Sequence, residues 1–222
     1  MWQLTACLMS ALLLAACTAQ PAGPAAPTTA TTAAAPTGPI DPANIKRIRP
    51  ALPAGYEVGD LSGPVSAAGV WGFGSGWTAQ PPQCGALADP APADPSARGY
   101  SASGSGGTVY VVVAAFDQLG PDPSLIGECG QWTMTFAHTS GAVRLVDAPH
   151  VDGVDTVGMD VDTRTVVESG TETDGQASTA MAYLGDHVVF VTLVTDPGSP
   201  HPPLNSQFVG DLLVETVSAL RG

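Results

Sequence analysis

The sequence predicts an α+β fold: an antiparallel β-sheet packed against a C-terminal helix and short helices, tied by one disulfide. Three observations predict it. First, from Arg98 to Thr195 β-like runs follow one another across turn residues with no long helical pattern between them, which argues against a doubly wound parallel sheet. Second, the hydrophobic period changes after Asn205: Phe208, Val209, Leu212, Leu213, Val217 and Leu220 share one helical face, with Asp211 and Glu215 opposite. Third, Cys84 and Cys129 are the pair left for an oxidised domain once Cys7 and Cys17 are accounted for by export.

The elements follow in order. Asp41 can cap a short helix with Pro42 at its first position, running to about Arg49 before Pro50. Tyr56 to Leu61 reads as a short strand. Val70 to Trp77 is aromatic and glycine-rich, and Pro81 to Leu87 reads as a helical turn bearing Cys84. Arg98 to Ser103 and Thr108 to Phe116 are strands joined through Gly104-Ser105-Gly106-Gly107. Val109 to Val113 is apolar on both faces, as a central strand requires. Ser124 to Cys129 is a short helix. Trp132 to Phe136 alternates and is expected to turn at Thr139-Ser140-Gly141 into Ala142 to Val146. Thr156 to Glu168 and Ser178 to Leu184 are β runs, and Gly185-Asp186 turns the second into His187 to Thr195.

The N-terminal part is an address. Leu4 to Ala16 is nearly all apolar but too short to span a bilayer, which takes about 20 residues. It ends in Leu14-Ala15-Ala16-Cys17, which resembles the bacterial lipobox. Residues 1–16 are therefore expected to be a lipoprotein signal peptide, although Met1-Trp2-Gln3 lacks the usual basic residue. Cys17 is the expected lipidation site and mature N-terminus. Residues 17–40 would form the lipidated cysteine and a disordered Pro/Ala/Thr tether, too poor in apolar side chains to offset its ordering entropy. Residues 41–222 would be an extracytoplasmic domain, held on the outer face of the cell membrane through Cys17.

With 7 basic against 20 acidic residues, nucleic acid is excluded as a partner, since phosphate binding needs clustered Lys and Arg. Lys46, Arg47 and Arg49 form one local group, either a solvated helix face or a contact for anionic headgroups. No catalytic constellation stands out. Gly72-Phe73-Gly74-Ser75-Gly76 lacks the Lys-Ser/Thr of a phosphate loop. His138, His150, His187 and His201 lack metal-helix spacing. Cys84 and Cys129 have no His at ligand spacing, so a disulfide is expected and no metal or cofactor. Asp147, His150, Asp152 and Asp155 form an acidic loop, solvated or weakly calcium-binding. Asp160 and Asp162 share a strand face expected to meet solvent.

Leu52-Pro53-Ala54-Gly55-Tyr56, Trp71-Gly72-Phe73-Gly74, Trp77 to Cys84 and Tyr100 to Gly104, with Cys129 beyond a Val-rich strand, together resemble actinobacterial, especially mycobacterial, lipoproteins of unknown function. These look related to the extracellular sensor domain of the receptor kinase PknH. The resemblance implies an antiparallel sheet flanked by helices, with a cleft for a ligand. It also implies two disulfides, where this sequence can form one. The expected function is non-enzymatic: an envelope domain that binds a small molecule, lipid or glycan, or alternatively a protein-interaction module of an envelope complex. Trp71, Phe73 and Trp77, set among glycines beside Cys84, either line the mouth of a cleft or anchor an irregular loop in the core.

Overall fold

A nine-stranded antiparallel sheet organises the chain. In the computed structural model the described residues are 39–92, 94–118, 120–196 and 204–222. The expected signal peptide, Cys17 and most of the tether lie outside them. The strands are β1 (Glu57–Ser62), β2 (Thr78–Gln80), β3 (Arg98–Gly104), β4 (Gly107–Ala115), β5 (Gln131–Phe136), β6 (Thr139–Val146), β7 (Asp155–Val166), β8 (Glu172–Leu184) and β9 (His187–Thr195). They lie in the order β1-β3-β4-β9-β8-β7-β6-β5-β2. The expected α+β class is met, including the C-terminal helix α4 (Ser206–Arg221) and the Cys84–Cys129 disulfide.

Burial on both faces explains the apolar centre. On β4, Val109, Val111 and Val113 point into one core while Val112 and Ala114 point into the other. The first core lies under α4 and a 3-10 helix, Pro42–Ala51, which contributes Ile45 and Ile48. Asp41 caps that helix by accepting from the Ala43 N–H at 2.9 Å, and the Asp41 N–H donates to the Leu220 carbonyl at the far end of α4. The helix runs through Pro50 rather than stopping before it, because a 3-10 turn tolerates the loss of that N–H at its end. Asn205 caps α4 through the Phe208 N–H at 3.0 Å. Thr216, a buried polar side chain on the apolar face, donates to the Leu212 carbonyl at 2.6 Å and so carries no unpaired donor into the core.

The second core is roofed by the segment between β1 and β3. It holds α1 (Ala67–Val70), β2, a 3-10 turn Pro82–Cys84 and α2 (Gly85–Ala88). The short helix α3 (Pro123–Glu128) borders it.

Two expectations change. The β5–β6 turn is Ala137-His138, with Ala137 at φ 47°, and not Thr139-Ser140-Gly141, which belong to β6. Gly141 is small for a tertiary reason: a Cβ there would lie 2.7 Å from Phe73 Cζ. Strand β8 also begins at Glu172, six residues before the expected Ser178. Its polar first half pairs with the outer half of β7, where Arg164 reaches both Glu172 and Asp174 at 3.1 Å. Asp160 and Asp162 do share a partly solvated face, each 3.3 Å from Arg144.

Candidate functional site

The roof segment is built residue by residue. Ser66 caps α1 by accepting from the Gly69 N–H at 3.1 Å. Trp71 ends that helix and turns its indole into the sheet, where the N–H donates to Thr179 Oγ1 at 2.9 Å. Thr179 in turn shares a 2.8 Å hydrogen bond with Thr192 on the neighbouring strand β9. Trp71 is 4% exposed and Phe73 2%, so both rings are core anchors. Gly72 and Gly76 adopt φ +100° and +88°, which side chains rarely take. Between them Gly74 makes room for the ring of Phe136. The glycines among these aromatics thus serve turns and ring packing.

Trp77 is placed differently. It is partly buried, and its ring edge lies against Gly85, where a Cβ would come within 2.9 Å of Cη2. On one side of Trp77 opens a groove of about 690 Å³, walled by Pro82, Ala86 and Leu87, by Leu125 of α3, and floored by Phe116 and Tyr183. On the other side lies a recess of about 520 Å³ bordered by Val65, Val70 and Phe73. Trp77, Asp89 and Pro92 border both spaces. Of the three aromatics singled out in the sequence, Trp77 therefore lies between the two hollows, Phe73 edges the smaller, and Trp71 borders neither.

The disulfide fixes the groove's walls. Cys84 ends the 3-10 turn on one wall, and Cys129 caps α3 on the other. Both are fully buried, with Cα atoms 5.5 Å apart.

The groove's electrostatics are one-sided. Asp122 caps α3, accepting from the Ser124 hydroxyl and N–H at 2.7 and 2.8 Å, and these bonds hold its carboxyl below the ordinary range. Asp89 is partly buried, and burial raises its carboxyl above the ordinary range, with the Ser66 hydroxyl partly offsetting this. Burial also pushes the Tyr183 hydroxyl up to about 12. Its ring meets that of Phe116 edge-on, centroids 5.2 Å apart. No Lys, Arg or His lines either space among the described residues.

Sequence reasoning did not find Asp89, Tyr183 or Phe116. The available signal was the run Asp89-Pro90-Ala91-Pro92, a carboxylate fixed in a stiff segment near Cys84. The acidic loop draws together only in part: His150 lies 3.1 Å from Asp152, and both are well exposed. Among the described residues no three His, Cys, Asp or Glu side chains are arranged to hold a metal ion. Arg49, from the basic group, rests 3.4 Å from Asp60 and 5.5 Å above the Tyr100 ring.

The family described as "Domain of unknown function (DUF5642)" matches residues 41–221. The chain belongs to this family. Among solved structures, the DUF5642 domain is similar to an uncharacterised protein from Mycobacterium smegmatis, the Rv0999 ortholog. The identity is 18% over 84% of this chain and 100% of that one, at a TM-score of 0.61. It is also similar to the extracellular domain of PknH from Mycobacterium tuberculosis, at 14% identity over 82% of this chain and 92% of that one, with a TM-score of 0.44. The M. smegmatis match agrees with the mycobacterial resemblance read from the aromatic and cysteine block. At such identity the M. smegmatis likeness is one of fold. No curated protein matches the chain.

Proposed function

We propose that this chain is a non-enzymatic cell-envelope lipoprotein, anchored through Cys17, whose outer domain binds a small molecule, lipid or glycan between the disulfide-bearing roof and α3. The observation that carries the reading is the groove of about 690 Å³ beside Trp77. Ligand sites are typically clefts of about 300–1,000 Å³, mostly apolar, with a few polar groups aimed inward. Here the apolar walls include Pro82, Leu87, Phe116 and Leu125, and the polar groups are Thr78, Asp89, Gln118, Asp122 and Tyr183. The lipobox-like Leu14-Ala15-Ala16-Cys17, which would direct export and lipidation, supports the same reading. A protein-interaction role would call for one contiguous apolar patch. Among the described residues the exposed large apolar side chains are Ile126 on α3, Val166 and Val167 at the β7–β8 turn, and Val214 on α4, which lie on different elements.

Native mass spectrometry of the full chain purified from its own envelope tests the proposal. A retained molecule that disappears in Ala86→Trp, which fills the groove, is the expected result. A chain that carries no adduct and binds nothing from an envelope extract would end the reading.

A further inference from the structure

We propose that the groove selects an amphiphile with a protonated amine head: the ammonium sits between Asp89 and Trp77, and the apolar chain runs over Leu87, Phe116 and Leu125. This rests on the binding reading above and adds the class of ligand. Three observations lead to it. The polar groups bordering the two spaces include the carboxylates Asp89 and Asp122 and no basic side chain among the described residues. An acidic head would therefore meet like charge with no counter-ion. Asp122 is engaged twice by Ser124 as the cap of α3, whereas Asp89 borders both spaces and is met by the Ser66 hydroxyl, which leaves its second oxygen for an incoming donor. Trp77 stands at the same junction, and an indole face attracts a cation. A carboxylate and an indole bordering one partly desolvated cleft together supply a charge-assisted hydrogen bond and a cation–π contact. The chain's net charge of -13 adds a field that draws cations toward it.

The test uses the full chain in nanodiscs of a zwitterionic lipid, with empty nanodiscs as blank. Octylammonium, octanoate and octanol are titrated below their micellar concentrations by saturation-transfer NMR. Octylammonium is expected to bind at least about tenfold more tightly than octanoate, and Asp89→Asn should reduce that ratio to within about twofold while sparing octanol. Glu215→Gln, an exposed charge removed from α4, should leave the ratio unchanged. If all three probes bind alike, and Ala86→Trp abolishes their binding, the groove stands and the amine preference is overturned. If none binds, the groove reading falls and the amine preference with it. Should Asp89→Asn fail to fold, the ratio measured on the unsubstituted chain decides alone.

Discussion

Trp71 and Thr179 lie 108 residues apart and are joined by a buried 2.9 Å hydrogen bond, the indole N–H donating to the threonine hydroxyl. The bond fastens the roof segment to the middle of the sheet. Thr179→Val keeps the side chain's shape and removes the acceptor. It should lower stability by at least about 1–3 kcal/mol, as read by urea unfolding, because the Trp71 donor is orphaned and Thr192 also loses its buried partner. Its effect on probe binding should be small, since Trp71 borders neither hollow.

The disulfide gives a second expectation. Cys84 and Cys129 are 45 residues apart, for which the chain-entropy model gives about 4 kcal/mol. Alkylation without reductant should label neither. The Cys84→Ser, Cys129→Ser double variant should lose about 2–4 kcal/mol and bind probes more weakly, because the bond ties one groove wall to α3. Unchanged affinity in a folded double variant would show that the walls hold position without it.

Much of this fold was legible in the sequence, and the exceptions share one cause. Strands with a clear period or a both-face apolar run, such as Val109 to Val113, were readable because burial dictates their pattern. The first half of β8 was not, since Glu172, Asp174 and Gln176 are polar and are strand only because β7 pairs with them. Gly141 mimicked a turn because its smallness accommodates Phe73, from a segment nearly 70 residues earlier in the chain. The candidate groove was legible at Trp77 and Cys84. It was not legible at Tyr183 or Phe116, which look like ordinary core residues until α3 is brought beside them.

Trp77 and Trp71 should respond differently to truncation. Trp71→Ala removes a 4%-exposed ring and its hydrogen bond, so a loss of about 3–5 kcal/mol is expected. Trp77→Ala removes a partly solvated ring and should cost less. Its binding of octylammonium should fall by about tenfold or more, as expected for the loss of an aromatic contact to a cation in a partly desolvated site. Equal stability losses with no change in binding would make Trp77 one more core anchor.

Cys17→Ala should move the protein from the membrane fraction to the soluble one. The lipobox-like motif sets a thiol at the spacing lipidation requires. Persistence of the variant on membranes after a salt wash would mean that something other than lipid at Cys17 holds it there.

The charge on Asp89 should appear in the pH dependence of both stability and binding. Burial raises this carboxyl in the folded chain above its ordinary 3.8, with Ser66 offsetting part of the effect. The folded state therefore binds the proton more tightly than the unfolded one, and stability falls as pH rises from 3.8 through the folded value. Above that window the ionised group destabilises the fold, and below 3.8 its contribution vanishes. Asp89→Asn should accordingly unfold at higher urea than the parent near neutral pH, with the two curves converging on acidification. Binding should move the opposite way, because octylammonium needs the carboxylate: affinity of the parent should drop as pH falls through the window, while that of Asp89→Asn stays flat. A variant less stable than the parent at neutral pH would mean that the carboxylate is satisfied inside the fold, leaving no acceptor for an incoming amine.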